Sequence, residues 1–196
     1  MRMFYAINFG NNVKSALAKN LVEIQKHTLK GNFTDKENFH VTLVFVGECD
    51  PESLDGLKEA AFETAEKLRA RSLKSIGATI EGLGTFSRPG DLLLWAGAKT
   101  EPENILGEIS EILLEKLAGA KIRPQGQNNK FHPHVTLARK VEFAEKSSDI
   151  IQQISFTPVY ATINSITLME SAQETAYRNE RAYTKIVYRP ICEAKF

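Results

Sequence analysis

The sequence predicts an α+β fold, an α/β sandwich of helices on antiparallel sheet, and three observations lead there. Apolar runs of strand length alternate with amphipathic stretches of helical period along the chain. Two neighbouring strand-like segments, Leu73 to Ile80 and Leu92 to Ala98, are joined by a turn-rich stretch and are therefore expected to pair antiparallel. The tetrapeptide His-Val-Thr-Leu occurs twice, at 40–43 and 134–137, each time followed by a helical pattern and further strands, which is the form of two similar lobes.

The elements follow in order. Residues 2–9 are apolar and end in Gly-Asn-Asn, a strand leaving into a turn. Asn12 is placed to cap a helix from Val13 to about Thr28, with Ala16, Leu17, Leu21, Ile24 and Leu29 at helical spacing. A strand over 39–47 closes at Gly47. Pro51 suits the first turn of a helix to about Arg71, striped by Leu54, Leu57, Ala61, Ala65 and Leu68. After the Leu73–Ile80 strand, the segment Gly82 to Gly90 reads as a turn, then comes Leu92–Ala98. A helix from Pro102 to about Leu117 ends at Gly119 and leads into a loop, Arg123 to Lys130. The second tetrapeptide strand follows, then a short helix near 145–154 and strands near 160–169 and 182–189.

Composition narrows the function. The 196 residues allow one substantial core, and a single domain over 1–196 is expected. With 25 Lys and Arg against 24 Asp and Glu, the chain is no generic polyanion binder, so any nucleic-acid contact is local. Cys49 and Cys192 are too few for a disulfide framework and lack metal-ligand spacing, which suits the cytoplasm. The apolar stretch at the N-terminus is too short for a secretory signal, and no run is long enough to span a membrane.

Alternation along a strand separates the motif residues by face. His40 and Thr42 share one side, while Phe39, Val41, Leu43 and Phe45 share the other. The second copy repeats the partition, with His132, His134 and Thr136 opposite Phe131, Pro133, Val135 and Leu137. An apolar side packs on helices, so in both copies the His and Thr point away from the packed side. If the strands belong to opposing lobes, the four polar side chains converge on one cleft. Two imidazoles near pKa ~6.5 supply a base and an acid at neutral pH, and two hydroxyls can donate to the non-bridging oxygens of a phosphate.

These residues resemble the 2H phosphoesterase superfamily, named for two His-x-Thr motifs, and within it the LigT/ThpR-type RNA 2',3'-cyclic phosphodiesterases. The segments Glu37 to Glu48 and Phe131 to Arg139 look like the family's two motifs with their flanks. The opening strand with Ala6-Ile7, the Gly84-Thr85-Phe86 turn before a Leu-Leu-Trp strand, and Leu168-Met169-Glu170-Ser171 also agree. The resemblance implies two pseudo-symmetric lobes around a central cleft. It also implies opening of a 2',3'-cyclic phosphate to a phosphomonoester, in several members the 2'-phosphate, without metal or other cofactor. By that analogy His40 and His134 move the protons and Thr42 and Thr136 hold the phosphate. The substrate would be an RNA end or a small cyclic nucleotide, and a monomer is expected. One departure bears on substrate choice: Gln173 to Arg181 is charged and lacks the family's glycine.

Further candidates surround the motifs. Strict alternation puts Arg139 with Leu137, so it is expected beyond the strand's end, turned to solvent or substrate. Arg88 and Phe86, in the 82–90 turn, are candidate substrate and stacking contacts. Lys121, Arg123, Lys130, Arg139 and Lys140 lie in a stretch without acidic residues that could follow an RNA strand. His132 flanks His134 without a third ligand nearby, so no metal site is expected. The rival readings are another activity of the same scaffold (ADP-ribose cyclic phosphate opening, 2'-5' linkage cleavage or RNA joining) and a binding module that holds a nucleotide end without turnover.

Overall fold

The structure, a computed structural model, describes residues 1–125, 131–178 and 181–196, with Arg88, Tyr177, Arg178 and Arg181 described by backbone alone. Nine strands and four helices of the described residues follow the predicted alternation. They are β1 (Arg2–Asn8), α1 (Asn11–Lys26), β2 (Lys30–Phe33), β3 (His40–Glu48), α2 (Leu54–Ala70), β4 (Ile76–Arg88), β5 (Asp91–Glu101), α3 (Ile105–Gly119), β6 (His134–Glu142), α4 (Ser147–Gln153), β7 (Val159–Ile163), β8 (Ser165–Arg178) and β9 (Arg181–Lys195). Short 3-10 turns, Lys36–Asn38 and Pro51–Ser53, precede β3 and α2.

Every strand pairing is antiparallel, and the strands form one sheet in the order β7-β4-β5-β6-β3-β1-β8-β9, with β2 on the free edge of β6. The two motif strands, β3 and β6, are neighbours at its centre, joined by the single rung Val41–Val135. Both valines are fully buried. Beyond that rung the strands part, and other groups satisfy the edges they leave. On β3, Ser110 Oγ of α3 donates to the Leu43 carbonyl at 2.9 Å and the Gln125 amide donates to the Val46 carbonyl at 3.1 Å. On β6, β2 pairs at Phe33–Ala138 and Asn32–Arg139, and the Thr34 amide donates to the Leu137 carbonyl at 2.9 Å.

The lobes are therefore half-sheets, and they are not the two halves of the chain. Helices α2 and α3 pack on the β3-β1-β8-β9 side, and α1 and α4 on the β6-β5-β4-β7 side. Helix α1 leaves β1 and crosses to the opposite half, where Asn20 pairs with both backbone groups of Thr157. Likewise α3 leaves β5 and backs β3. The exchange ties the halves together.

The helix stripes follow the periodicity. Val13, Leu17, Leu21 and Ile24 of α1 and Leu57, Ala61, Ala65 and Leu68 of α2 are buried, and the Tyr5 hydroxyl donates to the Leu57 carbonyl at 2.7 Å. Local chemistry altered some boundaries. Helix α1 begins at Asn11 with Gly10 as its cap residue, so Asn12 is inside the helix, and Leu29 is exposed beyond its end. Gly47 lies within β3 at a φ of 93°, and a Cβ there would strike the Gln125 side chain. The expected turn at 82–90 is strand. Residues Arg88 to Asp91 close a tight hairpin around Pro89-Gly90, and Gly84 faces Trp95 with no room for a Cβ. The run near 160–169 breaks at Asn164 into β7 and β8, which belong to opposite ends of the sheet. Finally, β2 was not expected, because Lys-Gly-Asn-Phe carries no strand pattern of its own.

The Val41–Val135 rung yields a stability prediction. Val41→Ala and Val135→Ala should each destabilise the fold by about 2 kcal/mol in urea unfolding, a loss of buried methyls. The double variant should depart from additivity because the side chains are direct cross-strand neighbours. Additive losses would place the two valines in independent environments.

Candidate active site

Both motif strands carry the same irregularity. In β3 the burial runs half-buried at His40 and Thr42, buried at Val41, and then buried twice in succession at Leu43 and Val44. In β6 it is half-buried at His134 and Thr136, buried at Val135, then buried twice at Leu137 and Ala138. Register shifts against β1 and β5 mark a bulge at each of these places. One extra residue reverses the alternation. As a result Phe45 and Arg139, three residues after each threonine, return to the side of the histidines. This corrects the expectation that Phe45 shares the packed face; Arg139 is turned outward as expected, but from within its strand rather than past its end. Strict alternation failed because it assumes a strand without bulges.

The imidazoles are fastened alike. His40 Nδ1 lies 2.7 Å from the Asn38 carbonyl oxygen and His134 Nδ1 lies 2.7 Å from that of His132. A carbonyl only accepts, so each ring donates from Nδ1–H and, when neutral, presents a lone pair at Nε2. At His40 that nitrogen lies 3.0 Å from Thr42 Oγ1, which donates to it. No corresponding bond joins His134 to Thr136 among the described residues, so His134 Nε2 is the freer of the two.

Burial is the main influence on both rings. It pulls His40 down to about 4, aided by the nearby charges of His134, Lys14 and Arg139 and opposed by the Asn38 hydrogen bond. His134 is also lowered, first by burial and then by His132 and Arg139. Arg139, itself exposed, therefore acts electrostatically on both rings.

Aromatic side chains brace each histidine from its own half. Phe4 of β1 and Tyr188 of β9 each stand 5.0 Å from the His40 ring, the tyrosine edge-on. Phe86 of β4 lies 5.1 Å from His134, edge-on, and Trp95 of β5 lies 4.6 Å from His132. Phe86 thus sits in a strand at the site, not in a turn. Among the described residues, two buried polar atoms without hydrogen-bond partners border the motifs: Asn8 Oδ1, whose residue pairs with His40, and Trp95 Nε1, whose residue pairs with Thr136.

The structure thus brings His40, Thr42, His134, Thr136, Arg139 and Phe86 to one region. Arg88 ends β4, but its side chain lies outside the described residues, as does all of Lys130. Among the described residues, no group of three or more His, Cys, Asp or Glu is placed to hold a metal ion, and no helix is long and apolar enough to cross a membrane. Phe4, Trp95, Tyr188 and the Asn38 carbonyl were not anticipated. Phe4 lies in the unbroken apolar run Met3 to Ile7, which shows no alternation; Tyr188 arrives through the curl of the sheet; a backbone carbonyl has no sequence signature. Trp95 had a signal, the facing Gly84.

Comparison with known proteins bears on the family and the fold. The model of the 2'-5' RNA ligase superfamily matches residues 13–175. The RNA 2',3'-cyclic phosphodiesterase of Thermotoga maritima is 26% identical over 100% of this chain and 96% of its own. That of Thermus thermophilus is 31% identical over 71% and 69%, respectively. Among solved structures, TT0787 of Thermus thermophilus has a TM-score of 0.69 at 21% identity, covering 100% of this chain and 97% of that one. E. coli LigT complexed with 3'-AMP has a TM-score of 0.68, also at 21% identity, with 99% and 97% covered. These two structures share the fold. With most of its length inside the family match, the chain belongs to the 2'-5' RNA ligase superfamily, the 2H phosphoesterases.

Proposed function

We propose that the protein hydrolyses 2',3'-cyclic phosphates at RNA or nucleotide ends to the 2'-phosphomonoester, with the two histidines as base and acid and no metal in the reaction. The observation that carries this reading is the pair of like-oriented imidazoles on either side of one rung, each held by a carbonyl so that Nε2 is its reactive nitrogen. Relatives named RNA 2',3'-cyclic phosphodiesterase support the substrate class.

In this mechanism His40 Nε2 takes a proton from water as the water oxygen bonds to phosphorus. The bond from phosphorus to the 3' oxygen breaks, and His134 Nε2–H protonates that oxygen. His40 suits the base because burial and the neighbouring charges hold it neutral more strongly. Thr42 releases His40 and, with Thr136, donates to the non-bridging oxygens, while Arg139 offsets their charge. Phe86 offers a surface for a base, and Arg88 is a candidate contact to the upstream strand. The family's description also favours a second reading, RNA joining, in which a 5'-hydroxyl replaces water as the nucleophile: its oxygen bonds to phosphorus as the bond to the 3' oxygen breaks, leaving a 2'-5' linkage.

An oligoribonucleotide ending in a 2',3'-cyclic phosphate, incubated with the protein and EDTA, should be opened to the 2'-phosphate. His40→Ala and His134→Ala should each lose roughly a hundred- to ten-thousandfold in rate. Intact cyclic ends, or full activity in either variant, would contradict the proposal.

The pH profile follows from the lowered imidazoles. The acid must be protonated to act, and in the free enzyme both rings lie below the usual 6.5. The kcat/KM for a cyclic nucleotide should therefore fall as pH rises, with its alkaline limb below 6.5. Bound phosphate favours the imidazolium, so the alkaline limb of kcat should lie higher. A kcat/KM that stays level up to pH ~8 would rule out an imidazolium donor with this environment.

A further inference from the structure

Among the described residues, Lys14 is the one charged side chain that is buried, at 6% exposure. No carboxylate lies within ion-pair distance of it among the described residues; its Nζ donates to the Glu37 carbonyl at 2.7 Å. A buried ammonium without a counter-ion is costly, and its own proton affinity is lowered, first by burial. Its location gives that cost a purpose. Glu37 lies in the 3-10 turn Lys36–Asn38, and the next carbonyl, that of Asn38, holds His40 Nδ1. The ammonium and the imidazole are thus fastened to successive carbonyls of one turn.

The turn has other anchors. Asn38 Nδ2 donates to the Ile186 carbonyl at 2.9 Å, and the Tyr188 amide donates to Asn38 Oδ1 at 3.4 Å. These fix the turn to β9; Lys14 fixes it to α1, on the opposite half of the sheet. The charged groups acting on His40 are Lys14 from α1 and His134 and Arg139 from β6, with Tyr188 of β9 edge-on to the ring; Lys36 and Glu37 of the turn act on Lys14, and Asp35 before the turn pairs with Lys185 of β9. Phe4 of β1 adds no charge. Of the lysine and arginine acting on His40, Lys14 is buried and Arg139 exposed.

We propose that Lys14 is a positioning residue for His40: it locks the turn that holds the ring by Nδ1, and its charge adds to the burial that disfavours a second cation there. The assignment rests on reading His40 as a proton-transfer group, but it can be tested without turnover. Nuclear magnetic resonance of the full chain follows the titration and tautomer of His27, His40, His132 and His134 in the wild type, Lys14→Met and Lys14→Arg. In Lys14→Met the His40 midpoint should rise by about one pH unit, since removing a neighbouring cation favours protonation. Lys14→Arg should restore the low midpoint, and the acid limb of kcat/KM should shift in step. Should Lys14→Met fail to fold, Lys14→Gln keeps a donor for the Glu37 carbonyl without the charge, and the His40 midpoint should still rise. An unchanged His40 titration and tautomer in a folded Met or Gln variant, with only the melting temperature lowered, would overturn the assignment. A wild type inactive on cyclic phosphates would overturn the proposed function and leave the resonance result standing.

Discussion

The site depends on one backbone rung. At Val41–Val135 two strands from opposite half-sheets touch, and both valines are sealed in the core. Because adjacent strands lie about 5 Å apart, the residues one step either side of the rung come together on the opposite face. Those residues are His40 and Thr42 on one strand and His134 and Thr136 on the other. The strands then part, so beyond these side chains the ladder between β3 and β6 does not continue. Ser110, Gln125 and β2 make the parting tolerable by satisfying the edges. The exchange of α1 and α3 between halves holds the arrangement from behind.

The same geometry sets the electrostatics. Each ring stands close to protein on several sides and gives its Nδ1 proton to a main-chain carbonyl rather than to a carboxylate. A carboxylate partner would stabilise the imidazolium in the empty site; a carbonyl does so less, and Lys14 and Arg139 oppose it. The resting rings are therefore neutral in positive surroundings. In the proposed mechanism an arriving phosphate supplies the negative charge that balances those surroundings and allows one ring to hold a proton. The apparent titrations belong to the coupled pair, because His134 is itself among the charges acting on His40.

Much of this was legible in the letters. The repeated tetrapeptide and two-residue alternation located the four central side chains and their face, and helical periodicity located the stripes of α1 and α2. Alternation ceased to be a guide at Leu43-Val44 and Leu137-Ala138, where bulges turn Phe45 and Arg139 toward the site. Nothing in either word announces a bulge, since the extra residue is as apolar as its neighbours. Long-range closure was equally silent: Tyr188 meets His40 only because the sheet curls, and the Asn38 carbonyl, though local, has no signature in the letters. Lys14 is a polar position on an amphipathic helix with no signal of its own in the letters, and it is buried where α1 meets the turn before β3.

The central claim is that both imidazoles address a single phosphorus across the rung. A crystal structure of the protein with a nucleoside 2'-phosphate tests it most directly. The account predicts one phosphate group with oxygens within hydrogen-bond distance of His40 Nε2 and His134 Nε2 at once, and with the Thr42 and Thr136 hydroxyls on its remaining oxygens. A phosphate bound by one histidine alone, with the other ring turned away, would contradict it.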